Sequence, residues 1–381
     1  MARLLTLALA ATAAITSPTV GQVIAIRAGR VLDPATASAS LNQIILVQRG
    51  RIGAIGPNVG IPAGATVYDL SNATIIPGMI DAHVHLALGG PVRANALADL
   101  RAGFTTVIDL GARTTRLLRI RDSINAGGIH GPRVYAAGIW VGRKNGVCEF
   151  GGIGIAGGAV AFRRRVRENI DGGADFIKVC VTGWPADAYA RPNAYELPDS
   201  LLRAVVEEAH AGRKRVIAHD ISRGGVRAGV AAGIDGLAHA AYLDSATALL
   251  LRGRSVFMIP TLASLTAGTP GPAGAALIHS VGLAQRAGVR LVFGTDGGVL
   301  PHGQNAQEFV AMYQAGVPLA ELLRTATTNA ARAFGLDSLG QIGQGMVADI
   351  VALDGDPLMD VGAYQRVKFV MSRGRVVPTL P

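Results

Sequence analysis

Two histidines one residue apart, His83 and His85, close an apolar run that extends from Ile75 to Leu86. In a strand the side-chain period is two, so both imidazoles point to one face and sit side by side. Adjacent imidazoles offer two of the ligands that a divalent cation takes. An isolated HxH pair is equally compatible with two ordinary histidines, so other residues must decide. Lys178 stands between Ile177 and Val179 in the apolar stretch ADFIKVCV. A buried, unpaired ammonium is costly and tends to give up its proton. The neutral amine can then react with carbon dioxide to form a carbamate, an anionic oxygen ligand able to bridge two cations. An ion pair with Asp175 is the alternative. His219, His239 and Asp296 close three further apolar runs, VIAHD, GLAH and FGTD.

Positioning these residues requires a repeated unit, and the chain has one. From residue 75 onward, strand-like runs alternate with helical ones. The strands are 75–86, 104–110, 133–139, 174–181, 215–220, 233–239, 255–260 and 290–296. Eight strands, each followed by a helix, imply a parallel sheet closed into a (β/α)8 TIM barrel. The count of eight such units argues against a doubly wound open sheet. In such a barrel chemistry collects at the C-terminal ends of the strands, where His83, His85, Lys178, His219, His239 and Asp296 all fall. Residues 23–74 read as short strands with a hairpin turning near Arg49-Gly50, and 339–381 return to strands. These two parts are expected to form one small β-sandwich domain built from both chain ends, with the barrel spanning 75–338.

At this point the chain resembles the amidohydrolase superfamily, and within it the imidazolonepropionase-like and metal-dependent prolidase (Xaa-Pro dipeptidase or carboxypeptidase) group. The resemblance rests on an ordered set: IIPGMIDAHVHL, GFTTVIDLGA, DFIKVCVTG, VIAHD, GLAHAAYLD, FGTDGG, PHGQN, TTNAARAFGLDSLGQIGQGMVADIVALDGDPL and VKFVMSRGRVV. It covers nearly everything after residue 23. Carried over by position, it implies that His83 and His85 bind a buried metal ion with Asp296, that His219 and His239 bind a more exposed one, and that carboxylated Lys178 bridges both. Imidazolonepropionases lack that lysine and use one metal, so Lys178 points to the two-metal, peptidase-like branch. The implied cofactors are two divalent ions, with zinc the default for a histidine-rich site. The implied reaction is hydrolysis of an amide or peptide bond in a small substrate by a metal-bridging hydroxide, with Asp296 as proton shuttle. A lactone, carbamate, cyclic amide or phosphotriester is the alternative target, because fold alone does not fix function. A non-catalytic binding protein should have lost ligands, and all six are present.

Two stretches depart from the pattern. Strand 2 reads TTVID, with Ile108 where relatives often have arginine. The loop after strand 3, GIWVGRKNGVCEFGG, has no histidine where relatives carry one that contacts substrate. Arg143 and Lys144 stand there instead, and Arg191 follows strand 4. A guanidinium can grip a carboxylate through two parallel hydrogen bonds, so these cations suggest a substrate carboxylate next to the scissile bond. Tyr242 and His302 are further candidates for substrate contact.

Bulk composition agrees with an enzyme of this size. The 381 residues, 50% hydrophobic, suffice for a barrel and a small domain. The net charge of +10 is carried almost entirely by arginine, since the lysines are only Lys144, Lys178, Lys214 and Lys368. The densest cluster, Arg163, Arg164, Arg165 and Arg167, reads as a solvated helix face. No nucleic-acid partner is expected, and a homo-oligomer is left open. The first residues, MARLLTLALAATAAITS, read as a signal peptide within 1–22, with Arg3 before the apolar run Leu4 to Ile15. The mature protein is therefore expected to be exported to a bacterial periplasm, with no stable membrane association. Cys148 and Cys180 permit one disulfide in an oxidising compartment but do not require it; Cys180 reads first as a small core residue.

Overall fold

The computed structural model describes residues 23–266 and 271–378, so the expected signal segment lies outside the described residues. The chain begins with β1 (Ile24–Asp33), β2 (Ser38–Gln48) and β3 (Arg51–Gly56), followed by β4 (Thr66–Pro77). The β2–β3 turn falls on Arg49 and Gly50, both at positive φ (50° and 77°). That geometry matches the twist of a two-residue hairpin.

The apolar run read as one strand is in fact two. β4 ends at Pro77 and β5 (Met79–Val84) begins after Gly78. Gly78 donates its N–H to the Asp349 carbonyl at 2.8 Å. A Cβ at this position would collide with the Thr105 and Asp349 side chains. Glycine therefore lets the chain leave one sheet and enter another within a single residue.

The second sheet region continues with β6 (Phe104–Asp109) and β7 (Arg133–Ala136), then β8 (Ile177–Cys180), β9 (Val216–Asp220), β10 (Gly236–His239) and β11 (Phe257–Ile259). β5, β6 and β7 form a three-stranded parallel sheet, and β8 to β11 a four-stranded parallel sheet. Helices lie between the strands, among them Val92–Arg101, Ala159–Asp171, Asp199–Ala211 and Arg223–Ala232. The last of these is capped by the Ser222 side chain, which accepts from Gly225 N–H, and it stops at Gly233 in the left-handed region. Its neighbour, Ser245–Gly253, is capped by Asp244 in the same manner.

The two parallel sheets approach each other at both edges. On one side Val141 bridges Val179, and Asp175 N–H donates to the Ala136 carbonyl at 2.9 Å. On the other, Leu291 bridges Met258 and Gly297 bridges Val84, while Ala82 N–H donates to the Phe293 carbonyl at 2.9 Å. The segment 290–296 was expected to be a full strand. It makes only isolated bridges: Val292 N–H donates to the Met258 carbonyl, while Phe293 N–H donates to the Thr325 carbonyl. Ile80, Ile108, Phe176, Ile217, Ile259 and Val292 pack into one buried apolar cluster, at about 1.5–3 kcal/mol per fully buried large side chain.

The final strands are β12 (Ile350–Leu353), β13 (Val367–Ser372) and β14 (Arg375–Val376). They join the opening strands in one seven-stranded sheet of order β14-β13-β12-β4-β1-β2-β3. Where a sandwich of two sheets was expected, the structure therefore has a single sheet. It turns back on itself, since Arg51 at the start of β3 bridges Val347, just before β12.

The arginine cluster on helix Ala159–Asp171 is not simply solvated. Arg163 and Arg167 reach Glu207 and Glu208 of helix Asp199–Ala211 at 2.5–3.4 Å. Among the described residues no helix is long and apolar enough to cross a membrane.

Candidate metal centre

The strand ends bring the predicted residues together. His83 Nε2 lies 3.3 Å from His85 Nε2, and each lies 3.3 Å from Asp296 Oδ1. Across the same space, His239 Nε2 faces His219 Nδ1 at 3.1 Å. Ligand atoms of His83, His239 and Asp296 fall within 4.8 Å of one another. His239 and Asp296 are held at φ 77° and 59°, a left-handed backbone that non-glycine residues seldom adopt. Such strain costs about 1–3 kcal/mol per residue and persists only where surrounding structure enforces it.

Protonation and orientation of the imidazoles are set locally. His85 Nδ1 lies 3.0 Å from the Gly111 carbonyl. A carbonyl only accepts, so Nδ1 carries the proton and Nε2 presents its lone pair. His239 Nδ1 pairs with Thr261 Oγ1 at 2.7 Å, which turns Nε2 toward the cluster. Burial, followed by the nearby Lys178 cation, holds His83 well below the usual histidine range. His219 is lowered likewise by burial and by His239. Burial lowers His239 to about 4. Burial pushes Asp296 up, but His83 and His85 outweigh it and hold the carboxyl well below its usual range. The cluster is thus a carboxylate among imidazoles, of which His83, His219 and His239 are held neutral, a donor set suited to divalent cations.

Lys178 is 2% exposed and its Nζ has no hydrogen-bond partner. Burial lowers it to about 7, against the pull of Asp296 and Asp220. The alternative partner Asp175 is engaged elsewhere, with Arg121 at 2.8 Å. His83 Nδ1 and His219 Nε2 are also buried without partners. Orphaned nitrogens of this kind are rare in a folded interior. Among the described residues, Lys178 therefore makes no structural ion pair.

Carboxylates behind the ligands escaped the sequence reading. Asp81 accepts from the His83 and Thr295 N–H groups, Thr295 Oγ1 and Asn305 Nδ2 at 2.7–3.1 Å. Burial raises it to about 7. Asp109 accepts from Leu86 and Gly111 N–H and so braces both the turn after His85 and the carbonyl that His85 uses. The signal was available, since both aspartates stand inside otherwise apolar strands.

The candidates for substrate contact separate. Arg143 and Arg191 line one cavity of about 290 Å³, together with Asp187, Tyr195 and Glu196. Lys144 does not line it and lies exposed on the adjacent loop. The Tyr242 hydroxyl is buried without a partner. His302 reads in the sequence as either a substrate contact or a loop-stabilising residue; in the structure its Nδ1 pairs with Asp99 at 2.8 Å and its Nε2 with the His85 carbonyl at 3.3 Å. Cys180 is more than a small core residue. It forms a disulfide with Cys148, packed with Trp140 and Val147. That bond ties the loop after β7 to the strand that carries Lys178.

Parallel strands alternating with helices, with imidazoles, a carboxylate and an unpaired lysine at their C-terminal ends, define a metal-dependent hydrolase. The Amidohydrolase family model matches residues 74–377, and the chain belongs to that family and is a hydrolase acting on amide bonds. The chain is 26% identical over 356 residues to ochratoxinase of Aspergillus niger, covering 78% of this chain and 73% of that one. It is 30% identical over 345 residues to a Mycobacterium bovis protein, covering 82% and 87%. Among solved structures it is similar to a prolidase complexed with N-methylphosphonate-L-proline, at 26% identity and TM-score 0.80, covering 93% of this chain and 99% of that one. It shares its fold with a Xaa-Pro dipeptidase at TM-score 0.86 and 24% identity, covering 94% and 100%.

Proposed function

We propose that the chain is a two-cation hydrolase that cleaves the amide bond of a small substrate carrying a carboxylate beside the scissile bond, a dipeptide or an N-acyl amino acid. In this reading His83, His85 and Asp296 hold one cation, His219 and His239 hold the second, and carboxylated Lys178 stands between them. Zinc is the assigned metal because imidazole dominates the donor set. The observation that carries the reading is the convergence of His83, His85 and Asp296 at 3.3 Å beside a buried lysine without a partner. Carboxylation joins Nζ of the neutral Lys178 amine to the carbon of carbon dioxide and releases one proton; counted from the ammonium, two protons leave and a cation is replaced by an anion. Bound cations would supply a water of lowered pKa and polarise the substrate carbonyl. Asp296 accepts the proton of the attacking water and delivers it to the leaving nitrogen. Arg143 and Arg191 hold the substrate carboxylate, fixing the amide over the site. The prolidase complexed with a proline phosphonate supports a substrate of this class.

The reading extends to the architecture. The two parallel sheets, with 290–296 between them, are halves of one closed (β/α)8 barrel over 75–338. Residues 23–74 and 339–381 form the second unit. The buried Cys148–Cys180 disulfide supports export to an oxidising compartment, where such bonds persist.

Metal analysis and a hydrolysis screen test the function together. Purified protein should hold two divalent ions per chain, and a chelator should abolish cleavage. Lys178→Ala should lose metal and most activity, and Lys178→Glu should recover part of both. Full metal content and rate in Lys178→Ala would refute the bridging role. Equal kcat/KM for a free acid and its C-terminal amide would refute the carboxylate grip. N-terminal sequencing of protein from the native host tests export, which an intact Met1 would exclude.

A further inference from the structure

A second cavity, of about 690 Å³, is lined by none of the six clustered side chains but abuts His85 through Gly111 and Trp140. Its floor is apolar, with Leu88, Leu117 and Trp140. Its wall is shared with the metal centre. Gly111, which lines the cavity, offers its carbonyl to His85 Nδ1 at 3.0 Å. The Trp140 ring lies edge-on to the His85 ring at 5.4 Å. The loop after β7 separates this cavity from the one lined by Arg143 and Arg191, since Trp140 faces the first and Arg143, three residues on, faces the second.

The rim carries the second observation. Arg93, Arg113 and Arg116 line the cavity and are exposed. Among the described residues none of the three has a carboxylate within 4.0 Å. Elsewhere on the surface pairing is mixed. Arg163, Arg167, Arg223, Arg227 and Arg366 have a carboxylate within 4.0 Å, whereas Arg49, Arg203, Arg213 and Arg254 are exposed without one among the described residues. What marks this cavity is that three such arginines share one rim. The cavity beyond the β7 loop offsets its arginines with Asp187 and Glu196. An apolar floor under three uncompensated guanidinium groups is complementary to an apolar body with an anionic group at its far end.

We propose that this cavity is the acyl-side subsite of the hydrolase, and that it takes an aromatic acyl group bearing a peripheral carboxylate or phenolate. The assignment rests on the amide-hydrolase reading above, in which the amino-acid side of the substrate lies toward Arg143 and Arg191. The acyl side then lies over His85 with its ring against Trp140, where offset or edge contacts between rings are favourable. Its outer anion meets Arg93, Arg113 and Arg116.

Two measurements test the assignment, one of them independent of turnover. In the first, kcat/KM is compared for N-acetyl, N-benzoyl and N-(4-carboxybenzoyl) derivatives of one amino acid. The expected order is carboxybenzoyl above benzoyl above acetyl. Val92→Trp, which fills the cavity, should shrink the benzoyl-to-acetyl ratio through KM. Arg93→Ala, Arg113→Ala and Arg116→Ala combined should shrink the carboxybenzoyl-to-benzoyl ratio by about 10- to 100-fold, the range for lost charge-assisted hydrogen bonds. In the second, Trp184→Phe leaves Trp140 as the remaining tryptophan, because the chain has two. N-(4-carboxybenzoyl)glycine should quench its fluorescence, with a Kd weakened by the arginine substitutions. Quenching without hydrolysis of any derivative would remove the amide reading and leave the cavity's ligand class standing. Hydrolysis of all three at equal kcat/KM, without quenching, would overturn the subsite and leave the amide reading intact. Preferences that survive both sets of substitutions would also overturn it.

Discussion

His302 pairs a nearly buried imidazole with the buried carboxylate of Asp99 while touching the His85 carbonyl. Removing one member of a buried pair strands the other, at about 3–5 kcal/mol. His302→Ala should therefore lower stability by that order in urea titrations and should also loosen metal binding. Burial lowers the His302 pKa, but the bond to Asp99 outweighs it and leaves the value raised. A raised value means stabilisation that is complete below the ordinary histidine pKa of about 6.5 and is lost as pH rises through the folded value. The stability gap between wild type and His302→Gln should accordingly narrow from pH 5.5 to pH 9, and a constant gap would exclude the charged pair. In the sequence this histidine could equally contact substrate or stabilise its loop. Its partner stands about 200 residues earlier on another element, and no local pattern links the two. The ligand histidines were legible because a period of two and a shared strand end are local facts. Their supports, Gly111 and Thr261, are tertiary contacts of ordinary residues.

The loop after β7 is the element on which both cavities depend. It presents Trp140 to one and Arg143 to the other, and the Cys148–Cys180 bond fastens it to β8. The two cysteines are 32 residues apart with Cα atoms at 6.3 Å. For a loop of that length the chain-entropy model gives about 3–4 kcal/mol of stabilisation. Cys148→Ala combined with Cys180→Ala should lower stability by up to that amount. It should also raise KM more than it lowers kcat, because the loop positions substrate while the ligands sit on strands. A pure stability loss with unchanged KM would show that the loop holds its place unaided. The sequence permitted this bond without requiring it, since two cysteines carry no geometric information until the loop is folded. Element types were read with more success than element ends. Helix Val92–Arg101 starts and stops where its pattern does, whereas the short helices Pro185–Ala190 and Leu262–Thr266 are not singled out in the sequence at all. Segments this short have too few turns for periodicity to show.

At the scale of the molecule, the seven-stranded sheet joins the two ends of the chain. β12 pairs with β4, Ile350 opposite Pro77, while β4 also pairs with β1, Ile24 opposite Thr66. A chain ending after Leu353 would lose β13 and β14 and leave β12 as a bare edge beside the buried Ile350 and Ala352. Such edges invite pairing between molecules. That truncation should fall into the insoluble fraction even though every proposed metal ligand lies upstream, and a soluble, active product would refute a structural role for the last strands. The return to strands after residue 339 was readable from composition. That they insert beside β4 to complete one sheet was not, because strand order is a property of pairing and leaves no trace in either segment alone.

That strand order also imposes a schedule. Roughly 270 residues separate Pro77 from Ile350, and at about 5–20 residues per second their synthesis takes on the order of 15–55 s. Throughout that interval β4 exists without the neighbour that covers its second edge. The vulnerable species is therefore a nascent one, and its lifetime is set by the ribosome. Synonymous codons that slow translation between residues 78 and 349 should reduce soluble yield, and the same codons placed after residue 353 should not.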